Sequence, residues 1–278
     1  MDAGASILER MTSLLLPHEV VGDGPHRVIA VHGWFADRGA YAAVLPDVDR
    51  RSFSYAVVDL RGYGAARDAS GPYTTSQAAR DVLALADELG WERFSLLGHS
   101  MGGAVIQRVM VAAPERVRRL VGIAPVPASG VPMEGAQWEL FEGAAERPEN
   151  RRAILDLTTG GQRPDAYLDR MLRQSLERSD AKAFRQWLNS WALEDFHTDV
   201  QGAAVPTRVV VGGRDPALNA EVMRQTWLRW YKRIDLVELP CAGHYPADET
   251  PLELIQAIEE FLRGDHGDRG DREDRLTP

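Results

Sequence analysis

The sequence predicts an α/β fold, a mostly parallel doubly wound sheet carrying a helical insertion, on the strength of three observations. Short apolar runs alternate with amphipathic stretches over most of the 278 residues, the pattern of strands covered by helices on both faces. The alternation breaks once, between Pro125 and Val205, where apolar residues recur only at helical spacing. A serine, an aspartate and a histidine each follow a separate apolar run, in that order along the chain. A chain of this length that is 44% hydrophobic can bury one large core with an insertion.

Residues 1–17 place Glu9 and Arg10 ahead of the short run Leu14, Leu15 and Leu16. This stretch lacks the basic start and long apolar centre of a secretory signal, and no later segment reaches the length of a membrane span. Strands are expected over 14–21, 27–31 and 54–59. A helix is expected over 75–89, where threonines offer an N-cap, Val82, Leu83 and Leu89 supply part of an apolar stripe, and Gly90 ends it. A strand over 93–97, a helix over 102–113 and a strand over 120–124 follow.

The insertion, 125–204, reads as helices. Leu168, Met171, Leu172 and Leu176, then Phe184, Trp187, Leu188 and Trp191, recur at three- and four-residue spacing. Gly130, Pro132, Pro148, Gly160, Gly161 and Pro164 cut the segment into short pieces. Because it follows a strand end, where open α/β sheets hold their ligands, it is expected to cap the active site. Strands over 207–211 and 235–239, with helices over 218–230 and 251–262, complete the core. The expected division is a core in two parts, 1–124 and 205–264, a cap, 125–204, and a charged tail, 265–278, with almost nothing apolar and expected to be disordered.

Gly98-His99-Ser100-Met101-Gly102 forms a G-x-S-x-G pattern between a strand and a helix. A turn this sharp brings the two backbones so close that side chains two residues before and after the serine must be nearly absent, and two glycines meet that demand. A serine hydroxyl is a poor nucleophile near neutral pH, so it needs a base within hydrogen-bond reach and a third group that orients the base. Gly212-Gly213-Arg214-Asp215 puts a carboxylate after the strand over 207–211, and Gly243-His244-Tyr245-Pro246 puts a histidine after the strand over 235–239. Ser100, Asp215 and His244 are therefore the candidate catalytic residues.

The formal charge of -9 and the lack of a long basic run argue against nucleic acid or an anionic membrane as partner. The single cysteine, Cys241, excludes an intrachain disulfide and a cysteine-based metal cluster, fits a reducing, cytoplasmic setting, and is expected to pack as a small apolar side chain. His18, His26 and His197 show no metal-ligand spacing, and His266, in the tail, is expected to be idle. Neither a metal nor a cofactor is implied.

With Val31-His32-Gly33-Trp34 and Asp59-Leu60-Arg61-Gly62-Tyr63-Gly64 added to these loops, the chain resembles the α/β-hydrolase superfamily. It is similar in particular to the capped serine esterase, lactonase and cofactor-free haloperoxidase-like branch. The resemblance implies an oxyanion hole made by the Met101 N–H and the Trp34 N–H, with Phe35 the alternative if the register shifts by one residue. It also implies a small-molecule, ester-like substrate. A serine at the elbow disfavours the dehalogenase and epoxide hydrolase activities of this fold, which use an aspartate there.

His32 and His99 are expected to act structurally. Asp59, Arg61 and the glycines around Tyr63 are expected to shape a tight turn and brace the oxyanion loop through an internal ion pair. Phe35, Trp138, Phe141, Trp187 and Trp191 are candidates for an apolar substrate pocket, although the helical spacing of the cap aromatics favours packing between cap and core, and a cap residue can do both. The expected reaction is hydrolysis of a small, apolar carboxylic ester or lactone through an acyl-enzyme. The same triad would serve carbon-carbon or amide hydrolysis or perhydrolysis, and a hydrolase scaffold with slow turnover would serve as a ligand-binding receptor. Acyl group, leaving group, stereochemistry and oligomeric state stay open at this point.

Overall fold

Seven strands, β1 (His18–Val21), β2 (His26–Val31), β3 (Phe53–Val58), β4 (Phe94–His99), β5 (Val117–Ile123), β6 (Thr207–Gly212) and β7 (Ile234–Leu239), make one sheet in the order β1-β3-β2-β4-β5-β6-β7. This is a computed structural model, and it describes residues 13–264. β1 runs antiparallel to β3, and every other neighbouring pair is parallel. The expected tail and residues 1–12 lie outside the described residues.

Successive residues of a strand face opposite sides, so a strand covered on both must be apolar throughout. Ile29 and Val31 of β2 join the core on one face, while Val28 and Ala30 join the core on the other. The first face carries α1 (Thr75–Glu88) and α2 (Met101–Ala112), through Val82, Leu85, Val105, Ile106 and Val109. The second carries α11 (Pro251–Arg263), through Leu254, Ile258 and Leu262. Thr74 caps α1 by accepting from the Gln77 N–H, and Gly90, at φ 64, follows its end.

Some boundaries differ from expectation for local reasons. β1 begins at His18 rather than Leu14: Pro17 cannot donate to a ladder, and the Leu14 N–H is taken by Asp81 of α1. The expected helix over 218–230 splits into α8 (Ala220–Gln225) and α9 (Trp227–Trp230) at Thr226 (φ -122, ψ -94). The break turns Trp227 into the core, where it stacks on Tyr231 with ring centroids 5.2 Å apart. Cys241 is exposed, correcting the expectation of a packed thiol: it lies in the turn just past β7, where no apolar element covers it.

No strand lies between β5 and β6. The chain there forms α3 (Gly135–Glu142), α4 (Pro148–Thr158), α5 (Asp165–Arg178), α6 (Ala181–Leu193) and α7 (His197–Val200). Buried Arg151 of α4 ties this layer together, donating to the Ala144 carbonyl and to the Ser175 and Ser179 hydroxyls, with its guanidinium 3.6 Å over the Phe184 ring. Ion pairs fasten α5 to the core at its middle and at its C-terminus, Arg170 to Asp248 at 2.8 Å and Arg178 to Asp37 at 2.9 Å. No helix among the described residues is long and apolar enough to cross a membrane.

Adjacent parallel strands β2 and β4 pair Val31 with Gly98, so the loops after them leave the sheet side by side. The chain then reverses within one residue: Ser100 sits at φ 52, ψ -118 between β4 and α2. A Cβ on Gly98 would lie 2.4 Å from the Gly102 carbonyl oxygen, and one on Gly102 would lie 2.5 Å from that of Val31. Both obstacles are backbone and cannot yield. Gly98→Ala and Gly102→Ala are each expected to cost about 3 kcal/mol or more. Gly90→Ala, with φ +64 but nothing within 4 Å, should cost only about 1 to 2 kcal/mol of backbone strain. Urea unfolding of the three variants checks that ranking.

Candidate active site

Ser100, Asp215 and His244 come from three loops at the carboxyl edge of the sheet, after β4, β6 and β7, and they meet. His244 Nε2 lies 2.9 Å from Ser100 Oγ, and His244 Nδ1 lies 2.6 Å from Asp215 Oδ2. The other carboxylate oxygen, Oδ1, accepts from the Ala217 and Leu218 N–H groups at 2.8 and 3.2 Å, which aims Oδ2 at the imidazole. This network puts the proton on Nδ1 and leaves the Nε2 lone pair facing the serine hydroxyl. Burial pushes the Asp215 carboxyl up, but the His244 charge and the hydrogen bonds it accepts outweigh that and hold it below the usual carboxylate range.

The loop after β2 lies against the serine. A Cβ on Gly33 would be 2.8 Å from His99 Nδ1 and 3.1 Å from Ser100 Cβ. His32 holds this loop: its Nδ1–H donates to the Gly33 carbonyl at 2.8 Å, and its Nε2 accepts the Leu60 N–H at 3.1 Å. Fully buried and engaged at both nitrogens, His32 is a structural group. The Trp34 and Met101 N–H groups flank this corner, and among the described residues neither is taken by a protein acceptor. The Met101 N–H is also one of the orphan donors at the start of α2, the positive end of the helix dipole. Phe35 follows Trp34, and its ring packs edge-on against the Trp34 ring at 5.0 Å.

Asp59 and Arg61 do not pair with each other. Asp59 accepts from the Arg38 and Ala65 N–H groups and pairs with the Arg38 guanidinium at 3.2 Å, bracing the segment that follows Trp34. Arg61, two residues further round the turn, reaches Asp81 of α1 at 2.6 Å.

A cavity of about 60 Å³ opens at Ser100 and His244, lined by apolar side chains that include Trp34, Val126, Met133, Phe141, Ile154 and Trp191. Phe35, His99 and Tyr245 divide it from a second cavity of about 320 Å³ beneath α5, flanked by the Arg170–Asp248 and Arg178–Asp37 pairs. Of the expected pocket aromatics, Phe35, Phe141 and Trp191 line the small cavity, whereas Trp138 and Trp187 line neither. Phe184 and Trp191 lie two turns apart on α6 and both contact the Trp34 ring, at 4.0 and 5.4 Å. Trp187 is rotated about 60° from Phe184 and about 40° from Trp191 around the helix. It is buried on the turn after β3, with its indole N–H donating to the Arg61 carbonyl at 3.0 Å. Trp138 is half-buried against the same apolar cluster. Val126, Met133, Ile154 and Leu218 were not singled out by the sequence, where nothing separates them from other core residues.

Residues 28–257 match the family described as the alpha/beta hydrolase family. A pimeloyl-[acyl-carrier protein] methyl ester esterase of Nitrosomonas europaea is 28% identical over 255 residues, spanning 87% of this chain and 97% of that protein. Among solved structures, an esterase from Exiguobacterium antarcticum superposes with a TM-score of 0.78 at 18% identity, covering 90% of this chain and 96% of that one. The enol-lactonase from Burkholderia xenovorans LB400 does so with a TM-score of 0.78 at 21% identity and the same two coverages. At these identities the two structures show the fold alone.

His99, beside Ser100, donates from Nε2 to the His244 carbonyl at 2.7 Å. Burial, and then the neighbouring His244 charge, push it down to about 3, against the raising effect of that hydrogen bond. In the unfolded chain the same ring takes up a proton below about pH 6.5. Between those values the unfolded state binds the extra proton, so stability falls as pH falls, by up to about 1.4 kcal/mol per pH unit from this ring. Buried His32, also pushed down, acts in the same direction. Asp215, held low, adds stability that is present above about pH 3.9 and lost only on further acidification. The free energy of urea unfolding is expected to drop from pH 6.5 towards pH 4, and His99→Gln to flatten that slope. A stability constant over this range would contradict the assignment.

Proposed function

Because the chain belongs to the alpha/beta hydrolase family and is an esterase-type hydrolase, we propose that it cleaves a small, apolar carboxylic ester or lactone through an acyl-enzyme on Ser100. The observation that carries this reading is the continuous hydrogen-bond chain from Asp215 through His244 to Ser100, with bonds of 2.6 and 2.9 Å. His244 takes the Ser100 proton as Oγ attacks the carbonyl carbon. The carbonyl oxygen becomes an oxyanion held by the Trp34 and Met101 N–H groups, where each donor contributes about 3 to 4 kcal/mol of transition-state stabilisation. Collapse expels the alkoxide, which leaves with the proton from His244. Water, deprotonated by the same ring, then releases the acid and restores the serine. Asp215 keeps the base in the required tautomer and stabilises the imidazolium.

The segment 125–204 acts as the cap and sets what fits. The small apolar cavity at Ser100 suits a short arm on one side of the ester, and the 320 Å³ cavity beyond Phe35 gives the other arm room. A short alkoxy group accords with the relatives named as methyl ester esterases.

Ser100→Ala should lower turnover of a small activated ester by at least about 10⁴-fold. An organophosphonate should add a single adduct, located at Ser100 by peptide mass spectrometry. Full activity in the alanine variant would overturn the proposal.

A further inference from the structure

His244 sits in a loop mounted on a carboxylate that the chemistry above does not use. Glu249 closes the four-residue helix α10 (Pro246–Glu249), and its side chain is 0% exposed. Its Oε2 accepts the Gly243 N–H at 2.8 Å, and its Oε1 accepts the Tyr245 N–H at 2.9 Å. One carboxylate thus spans the two amides on either side of His244. Arg163, from the connection between α4 and α5, closes on Oε2 and donates to the Cys241 carbonyl at 3.3 Å.

Two backbone groups of His244 itself are fastened as well. The His244 N–H donates to the carbonyl of Thr158, the last residue of α4, at 3.1 Å, and the His244 carbonyl accepts from His99. One carboxylate, one guanidinium, one imidazole and one helix end thus hold the Gly243, His244 and Tyr245 N–H groups and the Cys241 and His244 carbonyls. Two of these four, Arg163 and Thr158, belong to the insertion.

We propose that Glu249, neutralised by Arg163, is the positioning residue for the base, fixing the direction from which the His244 ring reaches Ser100. The inference rests on the serine-hydrolase reading given above. Two features make a carboxylate the fitting group. It offers an acceptor to each flanking N–H, whereas an amide offers one acceptor and turns its own donors towards the other. Hydrogen bonds to a charged acceptor are also about twice as strong as neutral ones. A buried carboxylate must in turn be paired, and Arg163 supplies the charge from across the interface. The insertion therefore contributes to holding the base as well as covering the site. Because a misplacement of about 1 Å in a reacting group costs about a hundredfold, the effect should appear in the chemical step.

The test measures Glu249→Gln by kcat and KM on a small activated ester, and by the rate and stoichiometry of organophosphonate labelling at Ser100. The expected result is a fall of about 10- to 100-fold in both kcat and the labelling rate per site, with KM within about threefold and near one label per chain. A merely structural role would lower the labelled fraction and the melting temperature while each labelled site reacted at the unaltered rate, and that result would overturn the proposal. If Glu249→Gln does not fold, Arg163→Met, which leaves both backbone acceptors in place, should lower kcat by about threefold or more at constant KM. An unchanged kcat in that variant would also overturn it. Failure to label Ser100 in the unaltered protein would instead remove the serine-hydrolase reading, and this one with it.

Discussion

The molecule is organised around a near-contact between backbones at Ser100. β2, β4 and the start of α2 approach so closely that Gly98 and Gly102 have no room for a Cβ, and Gly103 would meet Pro125 at 2.4 Å. That approach holds Ser100 at φ 52, a conformation side chains other than glycine adopt only when surrounding structure forces it. The same closeness lays the loop after β2 beside the serine and points the first amide of α2 into the same corner. Ser100, the start of α2 and the Trp34 and Met101 N–H groups, which meet no protein acceptor among the described residues, thus share one corner because β2 and β4 pair in parallel.

Much of this was legible in the sequence because it depends on local chemistry. Gly98 and Gly102 announce the close approach, and each of the other two loops follows a run that reads as a strand, β-branched and buried in β6 and alternating with Asp235 and Glu238 at the sheet edge in β7. The positions of Asp215 and His244 follow from where those runs end. Helical insertions are less legible, since a period of 3.6 places aromatics on an inward face without saying which neighbour each will meet. Phe184 and Trp191 contact the Trp34 ring, while Trp187, between them, is turned onto Arg61. Ion pairs across sequence were equally hidden: Asp59 and Arg61 are two residues apart yet answer Arg38 and Asp81. Glu249 left only a faint sign, an acid one short turn past the histidine loop and just ahead of Thr250-Pro251.

The insertion and the core share polar machinery as well as apolar surface. Arg151 lies buried without a carboxylate among its hydrogen-bond partners, its charge set against carbonyl and hydroxyl oxygens and the face of Phe184. Phe184 stacks on Trp34 and accepts its indole N–H at 2.7 Å, so the loop after β2 is packed from above by α6. The His244 loop is held from above by the Thr158 carbonyl and Arg163. Both loops beside Ser100 therefore take part of their geometry from a layer that also shapes the cavities.

The attachments between that layer and the core differ in kind. Arg163 meets a carboxylate that is 0% exposed, so dissolved ions have little access to the pair. Arg170 and Arg178 are 41% and 44% exposed where they clasp Asp248 and Asp37 beside the larger cavity. Mobile counterions reach such exposed pairs and weaken them as salt rises. Ionic strength thus acts unevenly on the two sides of the same junction: salt slackens the mouth of the molecule while leaving the seat of the histidine tight.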